Sequence, residues 1–81
     1  MEIDAVHLKR LGFRPKRKSK DEYEVSVEIA RFNYITLSVV LEKNTVTLSG
    51  LEVEGQEADQ VRKEMFRTFS FEEIQAFLNK Y

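Results

Sequence analysis

The chain contains no cysteine. A small secreted domain usually offsets a thin core with disulfides, so their absence points to the cytoplasm. His7 is the single histidine, and a conventional zinc site needs a cluster of Cys and His ligands. No thiol nucleophile exists, and a hydroxyl nucleophile has no evident base to activate it. The three glycines, Gly12, Gly50 and Gly55, stand too far apart to cradle a phosphate, and with one proline they form no flexible linker or low-complexity tract. No apolar run has the length of a bilayer span, and no charged-then-apolar leader opens the chain, so no membrane partner is expected.

Two carboxylate pairs are present, Glu24 with Glu28 and Glu72 with Glu73. Solvated carboxylates keep ordinary pKa values and make poor acid–base pairs. His7 lies among Ile3, Leu8 and Leu11 on an expected first helix, where a packed or half-exposed ring is the simpler reading. No enzyme, cofactor or metal is expected.

What remains is an ordinary globular composition: 81 residues, 42% hydrophobic and 33% charged. That suits one α+β domain over residues 1–81 with a modest core. The formal charge of −1 conceals an asymmetry. Residues 1–20 hold seven basic side chains against two acidic ones, whereas residues 21–81 hold six against twelve.

Residues 2–13 read as a short helix closed by Gly12, with Phe13 folding back onto it. Residues 14–21 form a basic connector, and Pro15 makes it a loop or at best an edge strand. Tyr23, Val25, Val27 and Ile29 alternate with polar residues, and Ile35, Leu37, Val39 and Leu41 repeat the pattern. A three-residue loop Arg31-Phe32-Asn33, with Asn33 left-handed, sets Ile29 opposite Ile35 and Val25 opposite Val39. A two-residue turn at Lys43-Asn44 sets Leu41 opposite Val46 and Val39 opposite Leu48. The apolar phase then slips to Leu51 and Val53, with a bulge marked by Gly50.

Residues 57–67 favour a helix with an Asp59/Lys63 pair, against a competing fourth strand at Met65–Phe69. Ser70 and Glu73 form a capping box for a last helix, with Phe69 and Ile74 as its staple. The expected fold is a three-stranded antiparallel meander, with a fourth strand as the alternative. Helices pack on one face, in the order α-β-β-β-(α)-α.

Two surfaces are candidates for a partner. The first is the basic connector, with Arg14, Lys16, Arg17, Lys18 and Lys20 available to phosphates. The competing reading is a solvated loop. The second is the hairpin tip, where Phe32 is flanked by Arg31 and by Tyr34 beside Ala30, side chains favoured as interface anchors. There the competing reading has Phe32 folded under the last helix. An exposed sheet edge also offers self-pairing into a homo-oligomer. The element order resembles the double-stranded-RNA-binding domain in topology only. The outer face (Glu24, Glu28, Thr36, Ser38, Thr47) lacks stacking aromatics, and acidic residues replace the expected lysines.

The helix ending Leu11-Gly12-Phe13, the meander, and the closing Ser70-Phe71-Glu72-Glu73-Ile74-Gln75 resemble small accessory proteins of phages and bacterial mobile elements. That resemblance implies a protein-binding regulator or inhibitor of a host protein, of the anti-defence or anti-CRISPR kind. The alternative from the residues is a nucleic-acid or anionic-ligand binder using loop 14–20.

Overall fold

Asp4 begins the first helix, α1 (Ala5–Arg10). Its carboxylate accepts from the His7 N–H at 3.0 Å, and the His7 ring Nδ1 lies 2.9 Å from the same oxygen and 3.5 Å from the Asp4 N–H. This is a capping box in which histidine takes the place usual for Glu or Gln. The computed structural model describes residues 3–18, 20–65 and 70–81. The hydrogen bond from the His7 backbone, then that with its ring, holds the Asp4 carboxyl below the ordinary aspartate range. A depressed carboxyl stabilises the fold above its unfolded pKa and loses that effect as pH falls through the folded value. Asp4→Ala is therefore expected to lower the thermal midpoint at neutral pH. The two melting curves should converge as the pH falls through the lowered folded value, below which the carboxylate is neutralised in both states.

At the other end of α1 the Phe13 N–H donates to the Leu8 carbonyl and the Gly12 N–H to that of Lys9, each at 3.0 Å. Gly12 is left-handed (φ 100°), which completes a Schellman motif. Leu8 and Phe13, both buried, join the core there. The chain then enters a two-residue strand, β1 (Arg14–Pro15), along the edge of β2 (Glu22–Ala30). The meander continues through β3 (Asn33–Glu42) and β4 (Thr45–Glu54), giving an antiparallel sheet in the order β1-β2-β3-β4. The fourth strand thus comes from the connector. Met65, where the alternative fourth strand began, ends a helix instead, and residues 66–69 lie outside the described residues.

The β3–β4 hairpin has the expected register. Lys43 and Asn44 are both left-handed, Leu41 faces Val46, Val39 faces Leu48, and the register slips between Ser38 and Val39, opposite Ser49-Gly50. The β2–β3 hairpin differs. Val27, not Ile29, faces Ile35, and Val25 faces Leu37. The left-handed residue is Phe32 (φ 63°), while Asn33 already belongs to β3. A bulge beside Ile29 absorbs the change, and because the shift is two residues the same side chains still point inward.

Asn33 is drawn into the strand because its side chain caps another helix. Its Oδ1 accepts from the N–H groups of Glu57 (3.1 Å) and Ala58 (3.4 Å) at the start of α2 (Gln56–Met65). Those are two of the amides that a helix leaves without internal partners. Ala58, fully buried, lets α2 lie close against the sheet. Asp59 pairs with Lys63 (3.1 Å) and Arg62 (3.0 Å), which hold its carboxyl below the ordinary range. Ser70 caps α3 (Phe71–Lys80) by accepting from the Glu73 N–H, while the expected Phe69 staple lies outside the described residues. Leu8, Ala58, Ile74 and Phe77 from the helices meet Tyr23, Ile35, Leu37 and Val39 in one core. The opposite sheet face carries the polar side chains.

Candidate interaction surfaces

Two regions of surface follow from this framework, and β2 holds them apart. Arg14 pairs with Glu24 near one end of the strand, and Ala30 pairs with Asn33 at the other. Six residues of extended chain separate them by roughly 20 Å. The eight candidate side chains thus form two groups.

At the hairpin tip Phe32 is 69% exposed, more than any other large apolar side chain among the described residues. The ring does not fold under α3. The Arg31 guanidinium lies 5.1 Å from its centroid, within cation–π range. Tyr34 stands one strand position on, on the outer face. Its cross-strand neighbours are Glu28 and Glu54 rather than Ala30, a consequence of the altered register. The phenol pKa is raised, first by a hydrogen bond to Glu28, then by the charge of that carboxylate, with a smaller contribution from Glu54. The tip therefore presents one bare ring, a guanidinium over it, and a phenol between two carboxylates.

The basic segment is arranged differently. Lys16 is tied to β2 twice, by its N–H to the Glu22 carbonyl (2.9 Å) and by its Nζ to the Glu22 carboxylate (3.6 Å). Arg14 lies opposite Glu24. Arg17, Lys18 and Lys20 are exposed. Arg14 to Lys18 surround a shallow hollow of about 490 Å³ that also has Glu24 in its wall. Cations spaced like beads in the sequence are thus partly matched to carboxylates once the segment lies along β2, which weakens their joint pull on an external anion.

Sequence reasoning left Glu52 and Glu54 out of any site, although with Glu28 they surround Tyr34. Their alternation in the third strand placed them on the outer face, but only the β3–β4 register sets Glu54 beside Tyr34. His7 is a capping residue of α1. Among the described residues no group of three or more His, Cys, Asp or Glu could hold a metal ion, and no helix is long and apolar enough to cross a membrane. No protein-family model, curated protein or solved structure matches the chain.

Proposed function

We propose that this chain is a non-enzymatic protein-binding module that docks through the β2–β3 hairpin tip, acting as a phage or mobile-element regulator or inhibitor of a host protein. The observation that carries the reading is Phe32. It is the most exposed large apolar residue described, and it occupies a left-handed position that a phenylalanine adopts at a cost of about 1–2 kcal/mol. A residue that is both unfavourable for the turn and bare to solvent contributes little to the fold. Buried aromatic and Arg side chains dominate the binding energy of protein interfaces, and Arg31 and Tyr34 stand beside it.

The test is affinity capture from host lysate with the captured protein identified, followed by its titration with Phe32→Ala. A loss of affinity of about 30-fold or more is expected. Unchanged binding by Phe32→Ala, with Arg31→Ala equally silent, would exclude the tip.

The second reading is an anion or nucleic-acid binder. What favours it is the hollow ringed by Arg14, Lys16, Arg17 and Lys18, with Lys20 near by in the chain. Titration with DNA and RNA at several salt concentrations separates the two. Phosphate binding shows a steep salt slope, and no binding at low salt ends this reading.

A further inference from the structure

The β4 edge has no neighbour among the described residues, and it runs for ten residues. On the opposite side β1 covers β2 only at Tyr23 and Glu24, and its Pro15 and flanking cations are common protections against strand pairing. β4 contains no proline or lysine.

The hydrogen-bonding groups on that edge can be placed. In a hairpin closed by a two-residue loop the pair beside the loop, here Glu42 and Thr45, is bonded, and bonded and non-bonded pairs then alternate. The Leu41 N–H donates to the Asp21 carbonyl on the β2 side, which agrees with this phase. Val40 with Thr47, Ser38 with Gly50, Thr36 with Glu52 and Tyr34 with Glu54 are therefore the bonded pairs. The outward N–H and C=O groups belong to Val46, Leu48, Leu51 and Val53. The same four side chains are the partly buried apolar residues along that margin of the core.

The bulge at Ser49-Gly50 makes this edge selective. It reverses the phase of the strand halfway, so that outward groups fall at 46 and 48 and then at 51 and 53. A regular strand alternates without interruption, and stays in phase with only one half. A second copy running antiparallel, with a two-fold axis at the bulge, carries the same reversal at the same place. Val46 then faces Val53, Leu48 faces Leu51, Thr47 faces Glu52 and Thr45 faces Glu54. Every outward group meets an outward group, apolar meets apolar, and no carboxylate faces another directly.

We propose that the chain forms a two-fold dimer through antiparallel pairing of β4 with β4 of a second copy, centred on the Ser49-Gly50 bulge. The dimer joins two four-stranded sheets into one, and sets the two hairpin tips at opposite ends of the paired strands. It leaves Phe32 and Arg31 outside the paired strands, while Glu52 and Glu54 lie beside Tyr34, and sedimentation of the chain alone reads it separately from the docking reading.

The full chain is tested by sedimentation equilibrium and by crosslinking. A concentration-dependent species of twice the 9.5 kDa chain mass is expected. Because the chain has no cysteine, Thr47→Cys and Glu52→Cys can be mixed in equal amounts and mildly oxidised. The mixture should form covalent dimer about tenfold faster than either variant alone. Positions 47 and 52 face each other across the axis, whereas two copies of position 47 lie roughly 16 Å apart, beyond disulfide reach. Both residues are exposed on the outer face, so far-UV circular dichroism should remain native. Thr47→Glu should raise the dimer dissociation constant about 3- to 30-fold, since the new repulsion with Glu52 occurs twice, and Thr47→Lys should lower it. A chain that stays monomeric up to about 1 mM, or variants that crosslink as fast alone as mixed, would overturn the proposal.

Discussion

Gly55→Ala is expected to lower stability by about 2–4 kcal/mol, a large share of the roughly 4–12 kcal/mol that a chain of this size has in total. Gly55 has φ 100°, where any side chain is strained by about 1–2 kcal/mol. A Cβ there would also come within 2.1 Å of Asn33 Oδ1 and 3.1 Å of the Asn33 Cα. The side chain of Asn33 must then move, and it gives up its bonds to the first amides of α2. Each such bond is worth about 1 kcal/mol net. Gly12 supplies an internal control. It has the same φ of 100°, but a Cβ there would meet nothing nearer than Val25 Cγ2 at 3.7 Å. Gly12→Ala should show the backbone strain alone, about 1–2 kcal/mol.

Thermal unfolding of the two variants separates the contributions. The Gly55 variant should melt about 10–25 °C below the parent and the Gly12 variant about 5–15 °C below. In an Asn33→Ala background the cost of Gly55→Ala should shrink toward that of Gly12→Ala, because the side chain it strikes is gone. Equal losses at the two glycines in the parent would mean that the Asn33 link across the β2–β3 and β4–α2 junctions contributes nothing.

Phe32→Gly should move stability and binding in opposite directions. Glycine removes the left-handed strain of about 1–2 kcal/mol, and the greater freedom of the unfolded chain takes back about 0.5–1 kcal/mol. The net effect is a gain of up to about 1.5 kcal/mol, or a rise of roughly 0–12 °C in the midpoint. Little packing is lost, because the ring is mostly bare. Affinity for the captured partner should fall about 30-fold or more, the loss that defines an interface anchor. Differential scanning calorimetry and titration on the same preparation read both. A midpoint that drops by several degrees would make Phe32 a structural residue of the turn. Retained affinity would remove it from the interface.

The place where sequence reasoning failed is the same turn. Asn tolerates the left-handed region far better than Phe, so local preference puts Asn33 at that position. Preference along the chain cannot register that the Asn33 carboxamide has a second use 24 residues away, at the Glu57 N–H. Two bonds to α2 outweigh the strain at Phe32, and the reversal moves accordingly. At the Lys43-Asn44 turn the distant contact, from the Ile3 N–H to the Asn44 carbonyl, involves backbone alone and asks nothing of the side chains, and there local chemistry predicted the register correctly. The basic connector shows the same division. Its charge and its proline were plain in sequence, but that Lys16 reaches Glu22 and Arg14 faces Glu24 depends on where β1 lies.

The first helix, the three long strands and the helices after them, the inward set of side chains, the helix stop at Gly12 and the bulge near Gly50 came from the sequence by itself. Each rests on neighbours a few residues apart, through alternation, helical spacing or the conformational freedom of one glycine. The tertiary structure alone decided where along β2 the connector lies, that Phe32 stands bare beside Arg31, and which pairs in the β2–β3 hairpin face each other. Those depend on contacts between segments distant in the chain, where one hydrogen bond or one register choice outweighs local preference.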